Sequence, residues 1–206
     1  DFLLVKMGTA SNEASVITQL KSTAFNAYWN GWNANTAPST GGVSIHHPAG
    51  DIKKISTFTG NTISTQWGSA AGSHWRVTWT SNSNGYGVTE GGSSGSPLFN
   101  GSQGYVIGTL TGGGSFCTNQ SAPDQYGKMA FHWTNNGTAT NRQLKPWLDP
   151  TNSGVLQLAG SNDPCSVVVP TAPVANFVAN QTNSFDISLK KIGIFGSKYD
   201  PKVIWI

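Results

Sequence analysis

The segment Glu90-Gly-Gly-Ser-Ser-Gly-Ser-Pro-Leu-Phe99 places serines inside a glycine-rich turn that opens directly into an apolar strand. A serine so placed reads as a nucleophile. Ser94 would supply the hydroxyl, and the backbone N–H groups of Gly92 and Ser94 would point at a developing oxyanion. The bland alternative is a glycine-serine hairpin loop with no chemistry. Gly91-Gly-Ser93-Ser-Gly95 also satisfies G-x-S-x-G, the nucleophile elbow, which would select Ser93. That elbow needs a helix after it. Here Pro97-Leu-Phe99 leads through a short turn into Tyr105-Val-Ile-Gly-Thr-Leu110, a hairpin, so Ser94 is the better candidate.

A serine nucleophile needs a base, and the chain has four histidines. His46 and His47 lie in a His-His-Pro segment, where one is expected to pack inward and the other to face solvent. His74 and His132 fall in strand-like patterns beside Trp75 and Trp133, which favours structural roles. No set of His, Cys, Asp or Glu has metal-ligand spacing, so neither a metal nor another cofactor is implied.

The elements that must hold the serine are short. Charged residues make up 10% of the 206, Gly, Ser, Thr and Asn are abundant, and no long window repeats apolar residues at helical spacing. Candidate strands are 24–32, 42–47, 52–58, 62–66, 74–80, 97–100, 104–110 and 126–133, broken by Gly, Asn, Ser and Pro. The opening run Phe2-Leu-Leu-Val5 reads as a further strand, cut from something longer, and 8–23 as a polar connection. Only Asn141 to Leu148 looks helical, ended by Asp149-Pro150. Such punctuation argues for an all-β barrel or sandwich with one C-terminal helix. The net charge of +3 comes largely from Lys190, Lys191, Lys198 and Lys202, so it marks no nucleic-acid face. No stretch approaches the ~20 apolar residues of a membrane span.

Five motifs in one order carry a family resemblance. Gly31-Trp32, Ile45-His-His-Pro48 with Lys53-Lys-Ile-Ser56, Gly91 to Phe99, Asp124-Gln-Tyr-Gly127 and Trp147-Leu-Asp-Pro150 together resemble the bacterial lysyl endopeptidases, within the chymotrypsin-fold serine endopeptidases. The resemblance spans about 1–160. It implies a chymotrypsin-like antiparallel β-barrel, the second of a two-barrel protease. Residues 1–7 would be the last strand of the first barrel, and about 24–160 the second barrel and helix. Residues 161–175 read as a linker, and 176–206 as a truncated module similar to a PKD-type sandwich, or a tail.

The same resemblance assigns Asp1 as the carboxylate that orients the catalytic histidine. That histidine would precede Asp1, so the first barrel and the base are expected to be missing, and the fragment alone to be inactive. The pocket for the substrate side chain would be built from Val88, Thr111, Gly112, Gly113 and Trp67, with Asp124 as the acidic group that selects lysine. Relatives place a histidine near position 111 that stacks on a tryptophan. This chain has Thr111, which leaves Trp67 without an evident partner. Cys117 is similar to a family cysteine bonded near the mature N-terminus, and a bridge to Cys165 is the alternative. The implied partner is a polypeptide substrate, without nucleic acid or membrane, in a secreted, extracellular bacterial enzyme. The competing classes are a protease-like binding protein and a carbohydrate-binding β module, whose sign would be a planar row of exposed rings.

Overall fold

The computed structural model describes residues 2–6, 9, 11–22, 24 and 27–162, together with the backbone of Gly193–Ile194 and Val203–Trp205. Asp1 and Cys165 lie outside the described residues, as do most of the expected linker and the C-terminal module. In chain order the elements are β1 (Leu4–Lys6), α1 (Glu13–Leu20), β2 (Tyr28–Trp29), β3 (Trp32–Asn33), β4 (Thr40–His46), β5 (Lys54–Asn61), β6 (Ile63–Trp67) and β7 (Ala70–Val77). There follow β8 (Pro97–Asn100), β9 (Val106–Gly113), β10 (Asp124–Lys128), α2 (Met129–Thr134), α3 (Lys145–Leu148) and β11 (Gln157–Leu158). The short segments Gly193–Ile194 and Val203–Trp205 are β12 and β13, the latter antiparallel to β1.

The fold is all-β, and its main sheet is an antiparallel path in the order β5-β4-β8-β9-β10-β7-β6. Only Thr62 separates β5 from β6, so the two ends of that path are one bent strand and the sheet closes on itself. The bend is tied from both sides. Thr62 N–H donates to Ser39 O at 2.9 Å, and Ser39 N–H to Thr62 Oγ1 at 3.0 Å. Across the closure, Thr80 N–H donates to Thr57 O at 2.8 Å.

Strand alternation divides the apolar side chains between two cores. On β8, Leu98 points into the barrel with Phe58, Trp75, Val77, Trp79, Val88, Ile107, Leu110 and Tyr126. Its neighbour Phe99 points out, against Trp32, Met129, Trp133, Leu144 and Leu148. Leu98 and Leu144 are each 0% exposed, and removing each from water is worth about 1.5–3 kcal/mol.

The helices depart from the sequence expectation in two places. The strand expected over 126–133 ends at Lys128 and continues as α2. Met129, Ala130 and Trp133 are buried at i, i+1 and i+4, a helical pattern that a short apolar run does not distinguish from a strand. The connection expected over 8–23 contains α1, the longest helix among the described residues, whose Val16, Ile17 and Leu20 repeat at helical spacing among polar residues. The expected C-terminal helix is present as a 3-10 turn, Thr140–Arg142, followed by α3.

Candidate active site

The serine loop stands between β7 and β8, and its adjacent Ser93 and Ser94 face opposite ways. Ser94 is exposed, whereas Ser93 is 1% exposed and lies 2.9 Å from His46 Nδ1 through its Oγ. Neither Gly92 N–H nor Ser94 N–H donates a hydrogen bond among the described residues. Both are nevertheless fixed in direction, because each shares a peptide plane with a carbonyl that is bonded. Gly91 O accepts from Ala49 N–H at 2.7 Å, and Ser93 O accepts from Ser96 N–H at 3.0 Å. The opposite ends of these planes are the two unbonded donors. Gly92 holds φ +96, and a Cβ there would lie 3.1 Å from His47 O, so the turn favours glycine. Two free N–H groups beside an exposed hydroxyl are the parts that an acyl-transfer oxyanion needs.

Asp124 opens β10 at 0% exposure, not in the surface turn that Pro123 would otherwise suggest. Its carboxylate takes three donors on one oxygen: Oδ2 accepts from Trp79 Nε1 at 2.6 Å, Thr89 Oγ1 at 2.6 Å and Ser115 Oγ at 2.5 Å. Among the described residues Oδ1 accepts only Ser115 N–H, at 3.2 Å. No Lys, Arg or His pairs with Asp124 in an ion pair among the described residues. Oδ1 lies against β9, where a Cβ on Gly113 would sit 2.0 Å from it. The sequence indicated Asp124 and the glycine strip but missed Trp79, Thr89 and Ser115. Their signal is chemical: a carboxylate in an apolar barrel must be met by donors, and Thr89 follows Val88 while Ser115 lies two residues past Gly113.

Val88, expected to line the pocket, packs in the barrel core at 8% exposure, and it is Thr89 that reaches the carboxylate. A second tie lies farther out, where Cys117 N–H donates to Glu90 Oε1 at 3.1 Å and joins the two walls near the serine loop. The Cys117 thiol is exposed and bridged to no cysteine among the described residues, and its hydrogen bond to Glu90 pushes its pKa up.

Trp67 has a partner, contrary to expectation. Its ring lies 6.0 Å from that of His74, tilted by 31°. His74 Nε2 is 2.8 Å from Thr111 Oγ1, and Nδ1 is 2.6 Å from Ser73 Oγ. The indole also reaches Gly112, whose Cβ would lie 3.3 Å from Trp67 Cη2. Thr111, Gly112 and Trp67 therefore lie together, with the His74 imidazole of β7 beside them. Burial is the first cause that lowers the His74 pKa to about 4, followed by positive charge nearby that includes Lys128, so the ring is neutral near pH 7.

The other histidines take distinct places. His46 is buried and His47 exposed, as the paired motif suggested. His132 sits on α2 at 2% exposure with Phe2 5.4 Å away, and neither ring nitrogen has a hydrogen-bond partner among the described residues. None of the four hydrogen-bonds Ser94. No group of His, Cys, Asp and Glu among the described residues has metal-binding geometry. Five of the eight tryptophans, Trp29, Trp32, Trp75, Trp79 and Trp133, are buried in the cores.

Against known families, the model for the lysyl endopeptidase C-terminal domain matches residues 1–127, more than half of the chain. The chain belongs to the lysyl endopeptidase C-terminal domain family. The matched segment contains the Ser94 loop, the Gly112–Gly113 strip and Asp124, and it ends where β10 turns toward α2. Membership gives this lysyl endopeptidase domain a protease-related origin, with polypeptides as the substrates the family implies. Its all-β architecture agrees with the C-terminal half of a lysyl endopeptidase-like protein. No helix among the described residues is long and apolar enough to cross a membrane.

Proposed function

We propose that the chain forms the serine-bearing half of an extracellular endopeptidase that cleaves after lysine. The observation that carries this reading is Asp124: a fully buried carboxylate with donors but no cation, beneath the glycine strip that runs beside the serine loop. Burying an uncompensated carboxylate is costly. A cationic substrate side chain entering this pocket would supply the missing charge.

The distribution of donors favours lysine over arginine. With Oδ2 already bonded three times, Oδ1 is the oxygen left with capacity. An ammonium needs one such acceptor, whereas a guanidinium presents a fork that is satisfied by two. The Trp67–His74 wall adds a flat apolar surface for the methylene stem.

In the reaction, Ser94 Oγ attacks the scissile carbonyl as its proton passes to an imidazole, and the oxyanion is received by Gly92 N–H and Ser94 N–H. The protonated imidazole then releases the leaving amine, and water resolves the acyl-enzyme by the reverse proton movements. Because none of the four histidines reaches Ser94, the base must come from other polypeptide, with Asp1 proposed to orient it. Extracellular action is in keeping with the family.

The test is a complete enzyme that contains this chain, assayed on matched lysyl and arginyl amides. Ser94→Ala should lower kcat by about 10⁶, the scale seen when a serine triad loses its nucleophile. The 206-residue chain alone should show no turnover that Ser94→Ala abolishes. Turnover by the complete Ser94→Ala enzyme at the wild-type rate would refute the reading.

A further inference from the structure

The His-His-Pro motif has no role in the reaction described above, yet its first histidine lies directly beneath the serine loop. His46, the last residue of β4, is 2% exposed. Nδ1 lies 2.9 Å from Ser93 Oγ, and Nε2 lies 2.8 Å from Ser56 Oγ on β5. A neutral imidazole offers one donor and one acceptor on opposite sides, and a hydroxyl can answer either. The bridge Ser56–His46–Ser93 therefore closes with every nitrogen satisfied. Ser93 Oγ also accepts Glu90 N–H at 3.3 Å, which ties the loop's entry to the same point.

The residues after His46 hold the loop by backbone. Pro48–Gly50 is a 3-10 turn in which Ala49 has φ 53, an unfavourable value for a residue with a Cβ. That turn aims Ala49 N–H at Gly91 O, the carbonyl in the same peptide plane as Gly92 N–H. Side chain and backbone of one segment thus hold Ser93 inward and turn Gly92 N–H outward.

We infer that His46 is a positioning residue for the Ser94 loop, pinning Ser93 to the barrel so that the Gly92 and Ser94 N–H groups are preset as a pair. This rests on the reading of Ser94 as nucleophile and adds the device that orients it. Histidine suits the task because its two nitrogens reach opposite neighbours, whereas an amide side chain reaches one.

That difference supplies the test. His46→Asn keeps a polar atom near the Nδ1 position, toward Ser93, and His46→Gln keeps one near Nε2, toward Ser56. Amide hydrogen exchange in the 206-residue chain should be at least about tenfold faster at Ser93, Gly95 and Ser96 in His46→Gln than in His46→Asn, with Leu98 and Val106 matched between the two. Equal exchange in the two variants, or loss of protection in the barrel to the same degree, overturns the inference. In the complete enzyme, His46→Gln should lower kcat with KM unchanged while His46→Asn retains most of the rate; equal kcat in both also overturns it. If Ser94→Ala left turnover intact, the nucleophile assignment would fail, and the exchange comparison would still decide whether His46 orders the loop.

Discussion

Thr89 Oγ1 donates to Asp124 Oδ2 at 2.6 Å and so joins the segment leading into the serine loop to the first residue of β10. Through this bond the proposed specificity carboxylate and the proposed nucleophile belong to one rigid unit. Thr89→Val keeps the shape and removes a donor from a buried charge. The variant should lose about 1–3 kcal/mol of stability, read as a lower urea midpoint, and bind lysyl substrates more weakly. A midpoint equal to wild type would show that the bond does not hold the carboxylate.

The opposite orientations of Ser93 and Ser94 separate stability from chemistry. Ser93→Ala leaves one nitrogen of buried His46 without its partner and should cost about 1–3 kcal/mol. Ser94→Ala removes an exposed hydroxyl and should leave the thermal midpoint unchanged while abolishing turnover in the complete enzyme. Melting curves of the two variants make the comparison. Equal destabilisation would mean that Ser94 is structural.

Gly113 and Gly91 differ in the same informative way. A Cβ at Gly113 would lie 2.0 Å from Asp124 Oδ1, while one at Gly91 would meet nothing within 4 Å. Gly113→Ala should destabilise the barrel by about 3 kcal/mol or more and remove lysyl selectivity; Gly91→Ala should be tolerated. Circular dichroism melts of both variants check the contrast.

Much of this arrangement was legible in the sequence because short-range patterns dictate it. The glycines around Ser94 mark a turn that few other residues can form, and the apolar run after Pro97 marks the strand that follows it. What the sequence could not supply depends on pairings between distant strands. The Trp67–His74 contact crosses the β6–β7 hairpin, whose register shifts between Thr65 and Trp67, so counting from the Gly68-Ser69 turn misplaces the pair. Trp79 reaches Asp124 because β7 pairs with β10 and sets Val77 opposite Asp124, a pairing between segments 45 residues apart. The helix α2 was hidden because Met129 to Trp133 is too short for its period to be read.

The buried imidazoles make the fold acid-sensitive. Burial is the first cause that lowers the pKa of His46 and His74 to about 4 and that of His132 to about 3, against an ordinary value of 6.5. Below pH 6.5 the unfolded chain takes up protons that the folded chain refuses, so stability is full above 6.5 and falls as pH drops toward 4. Because His132 has no hydrogen-bond partner among the described residues, His132→Phe should both raise the midpoint at pH 7 and flatten its decline on acidification. Thermal midpoints from pH 7 to 4 measure both effects, and a wild-type midpoint that stays level over this range would contradict them.

The most direct measurement labels the complete enzyme with an aminoalkyl phosphonate, a reagent that pairs a lysine-like ammonium with a phosphorus electrophile, and maps the adduct by mass spectrometry. A single adduct on Ser94, blocked by a lysyl amide and lost in Asp124→Asn, is the result predicted for a Ser94 nucleophile served by an Asp124 pocket. An adduct on Ser93, or labelling of Ser94 that Asp124→Asn leaves undiminished, would contradict it.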